Sequence, residues 1–120
     1  MTDFLSHMEY RLQDGVSDDA LAAASAPIDD WAGAKPGFRY RCVARRADGT
    51  VVDLMYWADR PSQESADADF IASGCGAALL PLMVEDSFRA EGMRLVSARP
   101  GGAVSAADAD ADAASASAAA

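Results

Sequence analysis

The dipeptide Asp48-Gly49 sits between two runs in which side chains of different character alternate. Glycine adopts a positive φ without steric cost, so Asp-Gly in this setting favours a tight turn between paired strands. Phe38 to Arg46 is the outgoing run, with Phe38, Tyr40, Cys42 and Ala44 on one side and Arg39, Arg41, Val43 and Arg45 on the other. Val51 to Trp57 is the returning run, rich in β-branched and aromatic residues. The centre of the chain therefore reads as a β-hairpin, and the flanking segments must supply what covers it.

Phe4 to Leu12 alternates as well. Phe4, Ser6, Met8, Tyr10 and Leu12 fall on one side, and Leu5, His7, Glu9 and Arg11 on the other, which argues for a strand ended by Asp14-Gly15. Ser17 then offers an N-cap hydroxyl, with Asp18 and Asp19 in the first turn. Leu21, Ala24, Ile28 and Trp31 follow at helical spacing. Pro27 lies inside that pattern and is expected to kink or split the helix. Gly33 and Pro36-Gly37 stop it.

Pro61-Ser62 opens a second helix with a modest apolar face of Ala66, Phe70 and Ile71, broken by Gly74-Cys75-Gly76. Ala77 to Val84 reads as a short extra helix around Pro81. Ser87 to Ala98 reads as the last strand, in which Gly92 suggests a bulge or bend. From Pro100 onward the pattern is lost, and the Ala-Asp-Ala-Asp-Ala-Asp stretch has no large apolar residue, so residues 1–100 read as one domain and 101–120 as a disordered Ala/Asp/Ser-rich tail.

The order strand, helix, strand, strand, helix, strand is the ferredoxin-like βαββαβ pattern of an α+β sandwich, with an antiparallel four-stranded sheet and both helices on one face. The second face is expected to carry Leu5, Val43, Met55, Trp57 and Val96. A second copy of the sheet is the simplest cover for them, which predicts a two-fold homodimer.

Those segments carry a family resemblance. Gln13-Asp14-Gly15-Val16-Ser17-Asp18, Pro36-Gly37-Phe38, Asp48-Gly49 and Val52-Asp53-Leu54-Met55-Tyr56-Trp57 occur in the order and spacing of the dimeric α+β barrel superfamily. The chain resembles its antibiotic biosynthesis monooxygenase-like branch over residues 4 to 99. The resemblance implies a dimeric α+β barrel and a cavity for a small aromatic or polyketide-like molecule. It carries over no catalytic motif. A haem-degrading role, also found in the superfamily, would want an axial ligand, and His7 on a first strand is not an obvious one.

Composition excludes several chemistries. The 120 residues carry a formal charge of −9, a field that repels a phosphate backbone, so no nucleic-acid partner is expected. Lys35 is the only lysine; the prevalence of Arg, Ala, Asp and Gly fits a GC-rich genome. Cys42 and Cys75 form no CxxC pair, and Cys42 reads as a small buried hydrophobe. No signal-peptide core or membrane span is present, so a cytoplasmic protein without a membrane partner is expected. His7 is the only histidine, which leaves no multi-histidine metal site, and neither a GxSxG elbow nor a phosphate-binding loop occurs. No cofactor is implied.

Two groups of residues are candidates for function. His7, Glu9, Arg41 and Asp53 are expected together on the uncovered face. They read as an ion-pair network that fixes the dimer register, as a proton-moving site with His7 oriented by Glu9 or Asp53, or as side chains simply exposed near strand ends. Tyr40, Tyr56, Met8, Ser6 and Trp31 are expected to face the helices, as core or as the lining of a small-molecule cavity, with Arg41 as a further ligand contact. The leading expectation is a homodimer that binds a small organic molecule as a cofactor-independent monooxygenase or isomerase. The rival is a non-catalytic binding or stress-related protein of the same fold. An open cavity favours the first and a closed core the second, and the sequence leaves open whether the chain is an enzyme.

Overall fold

The computed structural model describes residues 3–99. They run β1 (Phe4–Tyr10), α1 (Asp18–Gly33), β2 (Phe38–Arg45), β3 (Val51–Trp57), α2 (Arg60–Ser73), a 3-10 turn at Leu80–Leu82, and β4 (Arg89–Arg94). The sheet order is β2-β3-β1-β4 and every neighbouring pair is antiparallel. This is the ferredoxin-like βαββαβ fold. The Ala/Asp/Ser-rich segment expected as a tail lies outside the described residues. Among those described, no helix is long and apolar enough to cross a membrane.

Local chemistry accounts for the element ends. At the hairpin, Gly49 takes φ 94° and the Asp48 carboxylate accepts from the Thr50 N–H at 2.9 Å. Ser17, in extended conformation, caps α1 by accepting the Ala20 N–H at 3.0 Å, with Asp18 and Asp19 beside the positive end of the helix. Asp59 caps α2 by accepting both the backbone N–H and the hydroxyl of Ser62. Gly74, at φ 72°, ends α2 in the left-handed conformation. Pro27 removes one donor from α1 but does not split it: the helix is continuous, held to the core by Leu21 and Ala24 before the proline and Ile28 after it.

Directly opposed strand residues share a face of the sheet, so the register sorts every side chain. Phe4, Ser6, Met8 and Tyr10 align with Trp57, Met55, Asp53 and Val51. That face meets the helices: Tyr10, Val51, Met55 and Trp57 form one core with Leu21, Ala24, Ile28 and Ala66. The opposite face carries Leu5, His7 and Glu9 of β1, Val52, Leu54 and Tyr56 of β3, Tyr40, Cys42 and Ala44 of β2, and Met93 of β4.

The expected faces are therefore right for β1 and wrong for much of β2 and β3. Val43, Met55 and Trp57, expected to face outward, point under the helices with Arg41 and Asp53. Tyr40 and Tyr56, expected to face the helices, lie on the open side. A register shift between Phe38 and Tyr40 turns them to opposite faces, although alternation from Phe38 groups them. In β3 both faces are apolar apart from Asp53, so the pattern cannot tell inside from outside.

Smaller departures concern the strand ends. β1 stops at Tyr10, and Leu12 makes an isolated bridge to Met83. β4 is shorter than expected, and Val96 lies beyond it, 88% exposed. Gly92 makes no bulge, since the β1–β4 register is unbroken; it admits the Phe4 ring, two carbons of which lie 2.7 Å from where a Cβ would stand.

Two glycines with positive φ separate conformational strain from crowding. Gly49 has open space where a side chain would go, whereas at Gly37 (φ 82°) a Cβ would collide with Ser62, which Asp59 holds in place. In urea denaturation, Gly49→Ala is expected to cost about 1–2 kcal/mol. Gly37→Ala is expected to cost roughly 1–3 kcal/mol beyond that, with the m-value unchanged in both.

Candidate functional site

Helix α2 covers its share of the sheet thinly. Its only buried residue is Ala66. Gln63, Asp67 and Phe70, spaced i, i+4 and i+7, turn toward the sheet but do not fill the space beneath them. A cavity of about 400 Å³ remains between sheet and helices, inside the range of roughly 300–1,000 Å³ usual for small-molecule pockets. Its floor is Ser6, Met8, Tyr10, Asp53 and Met55. Ile28 and Trp31 of α1 form one wall, and Gly76, Leu79, Leu80 and Met83 of the segment after α2 form another. Phe88, Ala90, Glu91 and Gly92 complete the lining. Trp31 and Phe70 meet edge to face at 5.3 Å, and the Trp31 indole donates to Asp69, which also holds Lys35.

The floor is polar where a core would be apolar. Arg41, its side chain 2% exposed, donates through Nε to Asp53 Oδ1 at 3.1 Å and through Nη2 to Oδ2 at 2.7 Å. Its Nη1 reaches Asp29 at 2.7 Å and the Ser25 carbonyl at 3.2 Å. Burial works against the guanidinium charge, but Asp53 and then Asp29 outweigh it, and the Arg41 pKa stands above its usual value. The hydroxyls of Ser6 and Tyr10, both buried, have no protein partner. Burial, reinforced by the Asp53 charge, pushes the Tyr10 phenol up to about 12. Asp67 stands exposed at the rim; desolvation of its carboxyl raises its pKa, opposed by a hydrogen bond from Gln63 and assisted by Glu64.

The sequence-derived candidates divide between the two faces. Met8, Trp31 and Asp53 line the cavity together with Ser6, and Arg41 stands behind Asp53. His7 and Glu9 lie on the open face, His7 Nε2 3.8 Å from Glu9 Oε2, and Glu9 also pairs with Arg46. The sheet thus separates His7 from Asp53, and the expected grouping of these residues does not form. Tyr40 and Tyr56 are neighbours, ring centroids 5.8 Å apart, on that same open face and away from the cavity. The sequence reading missed Tyr10, Gln63, Asp67 and Phe88 as lining residues. The i, i+4, i+7 spacing of Gln63, Asp67 and Phe70 was the available signal. Burial and the nearby Asp53 charge raise the Cys42 thiol, so it is no activated nucleophile. Among the described residues no group of three or more His, Cys, Asp or Glu is placed to hold a metal ion.

No protein family matches the sequence, and no curated protein does. Solved structures do. A monooxygenase of Streptomyces coelicolor, ActVA-Orf6, in complex with the ligand nanaomycin D, aligns at TM-score 0.66 and 18% identity, over 84% of this chain and 94% of that one. The chain shares its ferredoxin-like α+β fold with that monooxygenase. SnoaB, a cofactor-independent oxygenase from Streptomyces nogalater, aligns at TM-score 0.62 and 14% identity, over 85% of this chain and 99% of that one. A dimeric ferredoxin-like protein of unknown function from Thermobifida fusca aligns at TM-score 0.61 and 10% identity, over 78% and 92%.

Two outcomes check the electrostatics of the floor. Arg41→Ala strands the buried Asp53 charge and is expected to cost about 3–5 kcal/mol by urea denaturation, much of it recovered in Arg41→Met/Asp53→Leu. Between pH 10 and about 12 folded Tyr10 keeps a proton that the unfolded chain has lost. Stability therefore falls as pH rises through that window, by on the order of 2–3 kcal/mol at most. Tyr10→Phe is expected to flatten this decline and to remove a late tyrosinate step from the ultraviolet titration.

Proposed function

We propose that this chain forms a homodimeric α+β barrel and that each subunit binds one small, flat, largely apolar organic molecule, which it oxidises with dioxygen without a cofactor. The cavity of about 400 Å³ between sheet and helices carries this reading, because aromatic side chains surround it and polar groups gather on its floor. The fold likeness to cofactor-independent and polyketide-binding monooxygenases supports it. The open sheet face supports the dimer: Leu5, Val52, Leu54, Tyr56 and Met93 are only partly buried within one chain. The case for a second copy thus rests on other side chains than Val43, Met55 and Trp57. Two unbridged cysteines suit a cytoplasmic protein.

Without a cofactor, all electrons come from the substrate. An activated methylene meets this need: with one molecule of dioxygen it gives a ketone and one molecule of water. Both C–H bonds and the O–O bond break, a C=O bond forms, and four electrons pass from carbon to oxygen. The first step removes a proton from the methylene. Asp67 at the rim, its pKa raised by desolvation, is the group suited to accept it. The walls exclude bulk water from the carbanion so formed.

2-Hydroxyanthrone, which carries an activated central methylene and a free phenolic hydroxyl, is a direct probe. The purified protein is expected to consume dioxygen and yield 2-hydroxyanthraquinone one for one, with Asp67→Asn lowering kcat about a hundredfold and Ala90→Phe blocking the cavity. Binding of 2-hydroxyanthrone without dioxygen uptake would instead support the non-catalytic binding protein. Size measurement at micromolar concentration is expected to give a dimer, and Leu54→Glu, at the centre of the open face, single subunits.

A further inference from the structure

The cavity floor has a hydrogen-bonding pattern specific enough to name the ligand group it fits. Tyr10 is 2% exposed and Ser6 7%, both line the cavity, and no protein group pairs with either hydroxyl. Asp53 lies between them: its register partner is Met8, with Ser6 and Tyr10 two residues to either side. Each Asp53 oxygen takes one N–H from Arg41. An ionised carboxylate has about four lone-pair positions, so acceptor capacity is left over. The same carboxylate has no proton to give, whereas the two hydroxyls can donate. Tyr10 keeps its proton until about pH 12.

Resting on the reading that the cavity binds a small organic molecule, we infer that Ser6, Tyr10 and Asp53 together recognise a neutral hydroxyl group on it. The ligand O–H donates to Asp53, and its oxygen accepts from Tyr10 or Ser6. A phenol or enol satisfies both requirements. A ketone, quinone or ether brings only lone pairs, which satisfy the hydroxyls but face the Asp53 carboxylate without a proton between them. An ionised phenolate is disfavoured for the same reason. These three residues thus set specificity for the hydroxyl-bearing form of a molecule over its carbonyl or ether form.

The test uses three probes of one shape: 2-naphthol, 2-methoxynaphthalene and naphthalene. Binding at pH 7 is read from the fluorescence of Trp31, which lines the cavity, and by calorimetry. The wild-type protein is expected to bind 2-naphthol about tenfold more tightly than either other probe. Tyr10→Phe or Ser6→Ala should shrink that advantage while leaving naphthalene affinity in place. Thermal melts show whether each variant is folded, and the probe series on the wild-type protein stands without any variant. Equal binding of all three probes would overturn hydroxyl recognition and leave the cavity reading standing. A naphthol preference that survives both variants, or survives Ala90→Phe, would place the recognition elsewhere and overturn it too. Failure of every probe to bind would bring down both readings.

Discussion

Two helices must cover a four-stranded sheet, and the second brings little bulk to the task. Ala66 is the only residue that α2 buries, and Ile71, which could have added to its apolar face, is 77% exposed. Close packing would require large side chains where α2 presents Gln63 and Asp67. The space left over is the cavity. The segment after α2 is tied to the end of β1 through the Leu12–Met83 bridge and the Val84 N–H to Arg11 carbonyl bond of 2.8 Å. It closes one end without filling the middle. The site thus arises from an underfilled interface rather than from a loop added to a complete core.

A space of this kind would be easy to collapse if its floor were apolar and adaptable. The floor is instead fixed by charge. Arg41 bridges β2, β3 and α1 through Asp53, Asp29 and the Ser25 carbonyl. A buried ion pair of this geometry adds little net stability, yet removing one partner is costly, so it constrains where the strands and helix can move. The charge of Asp53 is therefore held in one place and orientation under the cavity.

Much of the architecture was legible in the sequence because it is written in local chemistry. The Asp48-Gly49 turn, the Ser17 cap and the β1 alternation each act over a few residues, and each appears where expected. The functional grouping was less legible because it depends on which way a strand faces. In β2 one register shift reversed the phase after Phe38. In β3, Asp53 was the single polar residue among apolar neighbours on both sides, and its polarity suggested the open face alongside His7 and Glu9. Its partner Arg41, reversed with it, is what lets a carboxylate lie under the helices. Tyr10 was grouped with the inward side of β1 but not named for the cavity; that its hydroxyl would meet one depends on how little α2 fills, which no local pattern in β1 reveals.

The irregularity in β2 has a bearing on how another strand could meet the sheet. β2 is an outer strand of the sheet, and a straight outer strand offers unpaired N–H and C=O groups to any similar strand it encounters. A local extra residue bends and twists such a margin out of line, and Arg39 beside it pairs with Asp3 at 3.5 Å. Side-by-side joining into a longer ribbon is discouraged on this flank. The β4 margin, whose pairing with β1 is unbroken, has no such irregularity.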